Sequence, residues 1–129
     1  PLPGEKGGRG HGGYAGFSAR LAPNTRGWAF LSSEGANGQK STHGIPARWM
    51  DFSGKDGGIA IFDHPQNPRH PSPWYVAQGM PYFSPAFLFR DPMTLAPGQK
   101  ITLRYRVAVH GKPAGPKWLE SEWHAFAAE

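Results

Sequence analysis

The stretch Ala-Arg-Trp-Met-Asp-Phe-Ser-Gly-Lys-Asp-Gly-Gly-Ile-Ala-Ile-Phe, residues 47–62, carries the clearest hairpin signal of the chain. Apolar and polar residues alternate up to the turn-forming run 53–58, and a wholly apolar run follows it. In that second run, residues 59–62, apolar side chains occupy both parities, which predicts burial on both faces and a sheet covered by another layer. We therefore expect an all-β fold, an antiparallel β-sandwich.

Other segments of the chain show the period-2 pattern of strands. Strands are predicted within 14–22, 28–33, 74–77, 82–89 and 101–110. In the last of these the odd-numbered residues are apolar and the even-numbered ones include Arg104 and Arg106, which predicts one dry face and one basic face. After Pro116, the apolar residues Leu119, Trp123 and Phe126 recur at helical spacing, which predicts a short C-terminal helix on the outside of the sheet.

Composition agrees with a single all-β domain. The chain has 129 residues with 18 glycines and 14 prolines, a turn-rich composition that suits strands better than a helical bundle. Six of the first 13 residues are glycine, so we expect a flexible lead over 1–13 and a sandwich domain over 14–129.

The charge and the residue types of the chain limit the kinds of partner that we predict for it. The formal net charge is +5, but Lys and Arg are scattered and no common nucleic-acid motif is present, so we predict no nucleic-acid partner. There is no run of apolar residues long enough for a transmembrane helix, so we predict no membrane partner. The chain has no cysteine, which excludes disulfides and thiolate metal sites and leaves a cytoplasmic or a periplasmic location open.

The loop Phe-Asp-His-Pro-Gln-Asn-Pro-Arg-His-Pro-Ser-Pro-Trp, residues 62–74, holds most of the candidate site residues. Its four prolines fix their own φ angles and bias the preceding residues toward extended backbone, so the loop should be stiff. A stiff polar loop loses little entropy when a ligand binds, which favours a binding site. The alternative is a well-anchored crossover whose polar groups bond only the chain itself.

A carboxylate and an imidazole within reach of one sugar could perform acid–base chemistry. The catalytic candidates are Asp63, His64 and His70. Side chains that can hydrogen-bond hydroxyl groups or lie against a sugar ring complete the set. The ligand-binding candidates are Asn67, Arg69, Trp74 and Arg48.

The same loop contains the residue types of a metal site, but we predict no metal and no cofactor. Asp63, His64 and His70 are suitable ligands for a divalent ion such as zinc. Prolines between them make it hard to aim both imidazoles at one point, so a divalent metal is the less favoured alternative.

Several runs together resemble the bacterial PmoA-like family, which carries the label methane oxygenase PmoA. They are Gly-Gly-Tyr-Ala-Gly-Phe-Ser-Ala-Arg-Leu-Ala (12–22), Ser-Glu-Gly (33–35), Ala-Arg-Trp-Met-Asp-Phe-Ser-Gly (47–54), the block 58–74 with its Asp-His-Pro-Gln-Asn-Pro-Arg-His-Pro core, and 95–110. The resemblance implies that this sequence is the C-terminal half of a longer protein, whose N-terminal half would be its partner.

The resemblance also implies part of a mutarotase-like supersandwich, whose concave face binds carbohydrates. It does not imply methane oxidation, which needs membrane-spanning helices and a copper site. We expect carbohydrate recognition or processing by the polar loop, through a small-molecule or glycan ligand, and leave open whether the protein is an enzyme. The competing hypothesis is a non-catalytic accessory half that binds no ligand of its own.

Overall fold

The computed structural model describes residues 16–112 and 114–129. The strands are β1 Ala19–Arg20, β2 Ala29–Ser32, β3 Trp49–Gly54, β4 Gly57–Asp63, β5 Trp74–Ala77, β6 Tyr82–Pro85 and β7 Tyr105–His110. The α-helices are α1 Gln39–Thr42 and α2 Pro116–Ala127, and a 3₁₀ turn covers Pro23–Thr25. The predicted antiparallel β-sandwich with a short C-terminal helix is confirmed. The predicted lead over 1–13 lies outside the described residues.

The strands form two antiparallel sheets. One has the order β1-β6-β5 and the other the order β2-β3-β4-β7. The predicted hairpin is β3–β4, whose register runs from Trp49↔Phe62 to Gly54↔Gly57. Its turn is tighter than the predicted 53–58, because Ser53 and Gly58 are themselves a pair in the ladder.

The hairpin is buried on both faces, as its apolar run predicted. Alternate residues of β3 and β4 enter two separate clusters, one between the sheets and one beneath α2. The first cluster contains Phe30, Ala47, Met50, Phe52, Ile61, Trp74, Val76 and Phe83. The second contains Trp49, Ala60, Phe62, Leu119, Trp123 and Phe126. The four-stranded sheet is therefore the middle layer of the described fold.

Helix α2 begins with Pro116 in its first turn and buries Leu119, Trp123 and Phe126. Its predicted position on the outside of the sheet is confirmed, since these side chains pack on the face that points away from the other sheet. Within the described parts of the chain, no helix is long and apolar enough to cross a membrane.

Strand β7 is shorter than the strand predicted over 101–110. The ladder starts only at Tyr105, and the predicted dry face is wrong for Val107 and Val109, which are 42% and 81% exposed. The reason is the position of the strand: β7 is an outer strand of its sheet, and the strand residues of this sheet that are buried in the cluster between the sheets come from β2, β3 and β4. Alternation correctly assigned Ala108 to the other face, where it packs against the cluster beneath α2.

The strand predicted over 82–89 is also shorter than expected. The strand ends at Pro85; the Ala86 N–H still donates to the Pro73 carbonyl at 2.9 Å, and the chain then turns, with the Phe89 N–H donating to the Ala86 carbonyl. Of the described part of the first predicted strand, residues 16–22, only Ala19 and Arg20 have register partners in the sheet.

Candidate functional site

Asp63 organises the proline loop. It is the last residue of β4 and is wholly buried. Its Oδ1 accepts a hydrogen bond from Asn67 Nδ2 at 2.7 Å, and its Oδ2 lies 2.7 Å from His70 Nδ1 and 3.1 Å from the Ser72 N–H. One carboxylate thus gathers three donors from the loop that follows it. Buried donors and a buried carboxylate satisfy one another, which stabilises the loop as a unit.

Asn67, a predicted ligand-binding residue, uses its side chain within the protein. Besides Asp63, its Nδ2 donates to the Arg104 carbonyl at 2.7 Å, and its Oδ1 accepts from the Arg104 N–H at 2.7 Å. The amide therefore joins the loop to the segment that leads into β7. Since it is also buried, its contacts are those of a structural residue.

Arg69, the second predicted ligand-binding residue in the loop, has a positive φ of 65°. Its guanidinium donates to the carbonyls of Phe87 at 3.0 Å and Pro92 at 2.8 Å, and also to the carbonyl of Asp91. These bonds join the loop to the segment after β6, and they engage the groups that would have bound a ligand.

His64 is separated from the Asp63–His70 pair. Its ring is buried with its edge against Phe126, at 4.9 Å between centroids. The Gln66 N–H lies 3.1 Å from Nδ1 and Arg104 Nη1 lies 3.2 Å from Nε2. Burial, and next the Arg104 charge, lower the pKa of His64, which favours the neutral imidazole. The structure therefore does not place both predicted catalytic histidines on one carboxylate.

Trp74, predicted as an apolar face for a sugar ring, lies in the cluster between the sheets and is fully buried. Its Nε1 donates to the Ala47 carbonyl at 2.9 Å. The indole packs in the core of the described structure, and its role in ligand binding stays a prediction. The pattern of aromatic residues in the sequence could not separate it from a binding aromatic, because both occur at strand positions next to loops.

A different tryptophan, Trp123 of α2, lies at the loop. Its ring stacks on His70, with centroids 5.9 Å apart and planes 9° from parallel, and its Nε1 donates to the Asp63 carbonyl at 2.9 Å. The Arg48 guanidinium lies 5.2 Å from the centre of the same indole. The sequence indicated Trp123 only as the apolar side of a helix, since no local signal shows which loop that helix covers.

One ring nitrogen of His70 has no hydrogen-bond partner among the described residues. Nδ1 is bonded to Asp63, whereas Nε2 has no hydrogen-bond partner among the described residues, and the side chain is 12% exposed. A carboxylate that holds Nδ1–H leaves Nε2 as an acceptor, which is the arrangement a general base needs. We call Asp63, His70, Trp123 and Arg48 the His70 site.

Arg48 joins the His70 site already paired. Its Nη2 lies 2.6 Å from Glu120 Oε1, and its Nη1 lies 3.7 Å from Glu34. Glu120 Oε2 accepts from Trp49 Nε1 at 2.8 Å. Burial disfavours the charged form of Glu120, but the hydrogen bonds from Trp49 and Arg48 outweigh it and lower its pKa. The guanidinium is thus held in place by carboxylates and keeps part of its surface exposed.

The sequence matches a family of unknown function, DUF6807, over residues 4–124. The chain belongs to the DUF6807 family. Neither the curated proteins nor the solved structures contain a significant match to it. The match includes every residue of the His70 site, together with the whole β3–β4 hairpin.

In this DUF6807 chain the seven predicted site residues therefore separate into groups. Asp63 and His70 are bonded to each other, and Arg48 meets them at Trp123. Asn67 donates to the same carboxylate and also bonds the Arg104 backbone. His64, Arg69 and Trp74 are held in separate contacts. Among residues 16–112 and 114–129, no group of three or more His, Cys, Asp or Glu side chains could hold a metal ion.

Proposed function

We propose that this DUF6807 chain is a PmoA-like protein that recognises or processes a carbohydrate at the His70 site. The observation that carries the proposal is the buried Asp63–His70 pair, with its Nδ1–Oδ2 distance of 2.7 Å and an Nε2 that has no hydrogen-bond partner among the described residues. Asp63 fixes the tautomer, so Nε2 accepts hydrogen bonds in the neutral imidazole.

Such an Nε2 can act on a sugar in two ways. It can accept a hydrogen bond from a hydroxyl group, or it can remove the hydroxyl proton as a general base while Asp63 stabilises the imidazolium that forms. Arg48 lies against the same indole and can donate to a neighbouring ligand oxygen. The ring stacking on Trp123 restricts the rotation of His70, which favours a defined direction for the Nε2 lone pair.

The test compares His70→Ala with His124→Ala, because His124 is an exposed histidine of α2. Both variants are assayed for binding to a glycan array and for turnover of the glycans that bind, and their melting temperatures are measured alongside. We expect His70→Ala to lose at least about tenfold in glycan affinity or turnover, a typical share for one hydrogen-bonding or acid–base group. His124→Ala should retain both. A lower melting temperature with unchanged glycan affinity and turnover in His70→Ala would reject the ligand role.

A second candidate function is a scaffold, and the contacts of Asn67 and Arg69 specifically favour it. Both side chains are engaged with backbone groups of other segments, which is how a crossover between two sheets is anchored. In that case Asn67→Ala and His70→Ala should lower the melting temperature alike and no glycan should bind. The N-terminal half implied by the PmoA-like resemblance would then be the partner, which stays a prediction.

A further inference from the structure

A second carboxylate–imidazole pair lies near the other end of β4. Asp51 on β3 is almost fully buried, and its Oδ1 is 2.7 Å from Nε2 of His110 on β7. Its Oδ2 accepts a hydrogen bond from Ser53 Oγ at 2.7 Å. Gly58 lies beside them, and a Cβ there would be 2.3 Å from the Ser53 Cβ and 2.4 Å from His110 Cε1. A glycine is therefore required at this point of β4 for the pair to form.

The two contacts of His110 fix how many protons the pair holds. Nδ1 faces the Lys112 carbonyl, which can only accept, so Nδ1 carries a proton. Nε2 faces a carboxyl oxygen at 2.7 Å, and that contact needs a proton on one of the two atoms. The pair therefore holds one proton more than a neutral imidazole beside a carboxylate. If this proton left, two lone pairs would face each other at one of the two contacts.

The pair connects the sheet to the start of α2. Lys112 belongs to the link between β7 and α2, and Trp118 of α2 contacts the His110 ring edge-on at 6.0 Å. We propose that the proton shared by Asp51 and His110 latches α2 to the sheet, so that α2 opens more readily as the pH rises. The latch is independent of the proposed function.

The charged surroundings give the sign of the effect. From β3, Asp51 faces His110; the link contributes the Lys112 carbonyl, and α2 contributes the uncharged Trp118. Burial raises the pKa of Asp51, and the hydrogen bonds from His110 and Ser53 lower it by less. The net rise in the pKa of Asp51 helps to keep a proton in the closed pair. An exposed imidazole releases its proton near about pH 6.5.

Below about pH 6.5 the open and closed forms therefore hold equal numbers of protons, and the latch contributes fully. Above it, opening releases a proton, so the opening equilibrium should grow about tenfold per pH unit until the closed pair itself deprotonates. The stabilisation is present at low pH and is lost as the pH rises.

Two measurements on the full chain test the latch. Nitrogen-15 NMR of the imidazole rings should show both His110 nitrogens hydrogen-bonded to a retained proton at about pH 7.5, where an exposed imidazole is mostly neutral. Hydrogen exchange of α2 amides, corrected for intrinsic rates, should show the roughly tenfold slope per pH unit, while amides of β2 and β3 should not.

The matched variant is His110→Gln, whose amide can donate to Asp51 without titrating. Its α2 exchange should be independent of pH over the same range. An unchanged slope in His110→Gln, or a His110 ring that is neutral with an unprotonated Nδ1 at about pH 7.5, overturns the proposal. If His110→Gln does not fold, the ring titration of the unaltered chain decides alone.

Discussion

Replacing Asp63 by alanine tests whether this carboxylate stabilises the proline loop. The change removes the acceptor of three donors, at 2.7, 2.7 and 3.1 Å. The losses are unequal: Asn67 Nδ2 keeps the Arg104 carbonyl and His70 can reach solvent, but the Ser72 N–H stays buried. An unsatisfied buried N–H costs about 1–3 kcal/mol, and each lost bond to a charged group about 1.5–3 kcal/mol before compensation.

With partial compensation for two of the three donors, Asp63→Ala should lower the free energy of unfolding by about 3–5 kcal/mol, as for a buried ionic group whose partner is removed. Small domains have about 5–15 kcal/mol in total, so the variant should be marginally stable. Urea unfolding at neutral pH, followed by tryptophan fluorescence, measures the difference. The m-value should stay constant if both proteins unfold in two states.

Asp56→Ala is the matched control, because Asp56 lies exposed in the β3–β4 turn. It should change the free energy of unfolding by less than about 0.5 kcal/mol. Asp63→Asn should fall between the two, since its amide keeps one acceptor but turns a second donor toward the loop. If Asp63→Ala cost less than about 1 kcal/mol, or no more than Asp56→Ala, the carboxylate would not be the group that stabilises the loop.

Three further predictions concern packing and titration. Gly58→Ala would place a Cβ 2.3 Å from the Ser53 Cβ, so it should cost about 1–3 kcal/mol in urea unfolding, whereas Gly27→Ala, with nothing within 4 Å, should be near neutral. Burial, and next the Asp63 carboxylate, raise the pKa of Tyr105 to about 12, so a spectrophotometric titration should contain a late phenol signal that Tyr105→Phe removes. The stabilisation from this neutral phenol is complete below about pH 10 and is lost as the pH rises toward 12. The lowered pKa of His64 has the opposite sign: its contribution to stability is present above about pH 6.5 and is lost as the pH falls, and a ring-proton NMR titration should give His64 a pKa below the ordinary value of about 6.5.

The middle layer of the fold could be predicted from the sequence because its signals are local. The β3–β4 hairpin follows from a turn-forming run between two apolar strands, and the double parity of residues 59–62 correctly indicated burial on both faces. Helix α2 follows from Pro116 and the spacing of its three buried residues. In each case the residues that carry the signal are neighbours in the chain.

The burial of strand β7 could not be predicted from the sequence in this way. Alternation states which side chains share a face, but coverage of that face depends on how far another layer extends. Val107 and Ile61 are register partners, yet Ile61 is fully buried between the sheets and Val107 is 42% exposed. The same limit applies to Trp74 and Trp123, whose positions in the sequence gave no indication of which one the loop would contact.

The hydrogen bonds of the proline loop follow from its composition, but the sequence did not show which side chains would form them. Prolines remove N–H donors, so buried carbonyls around such a loop need donors from side chains. Asn67 and Arg69 supply them, to Arg104 and to the segment after β6, and are thereby engaged. His70 differs because an imidazole has two nitrogens on opposite edges, and one carboxylate can hold only one of them. Nε2 of His70 is thereby left without a hydrogen-bond partner among the described residues, and the chemistry proposed for the site depends on that nitrogen.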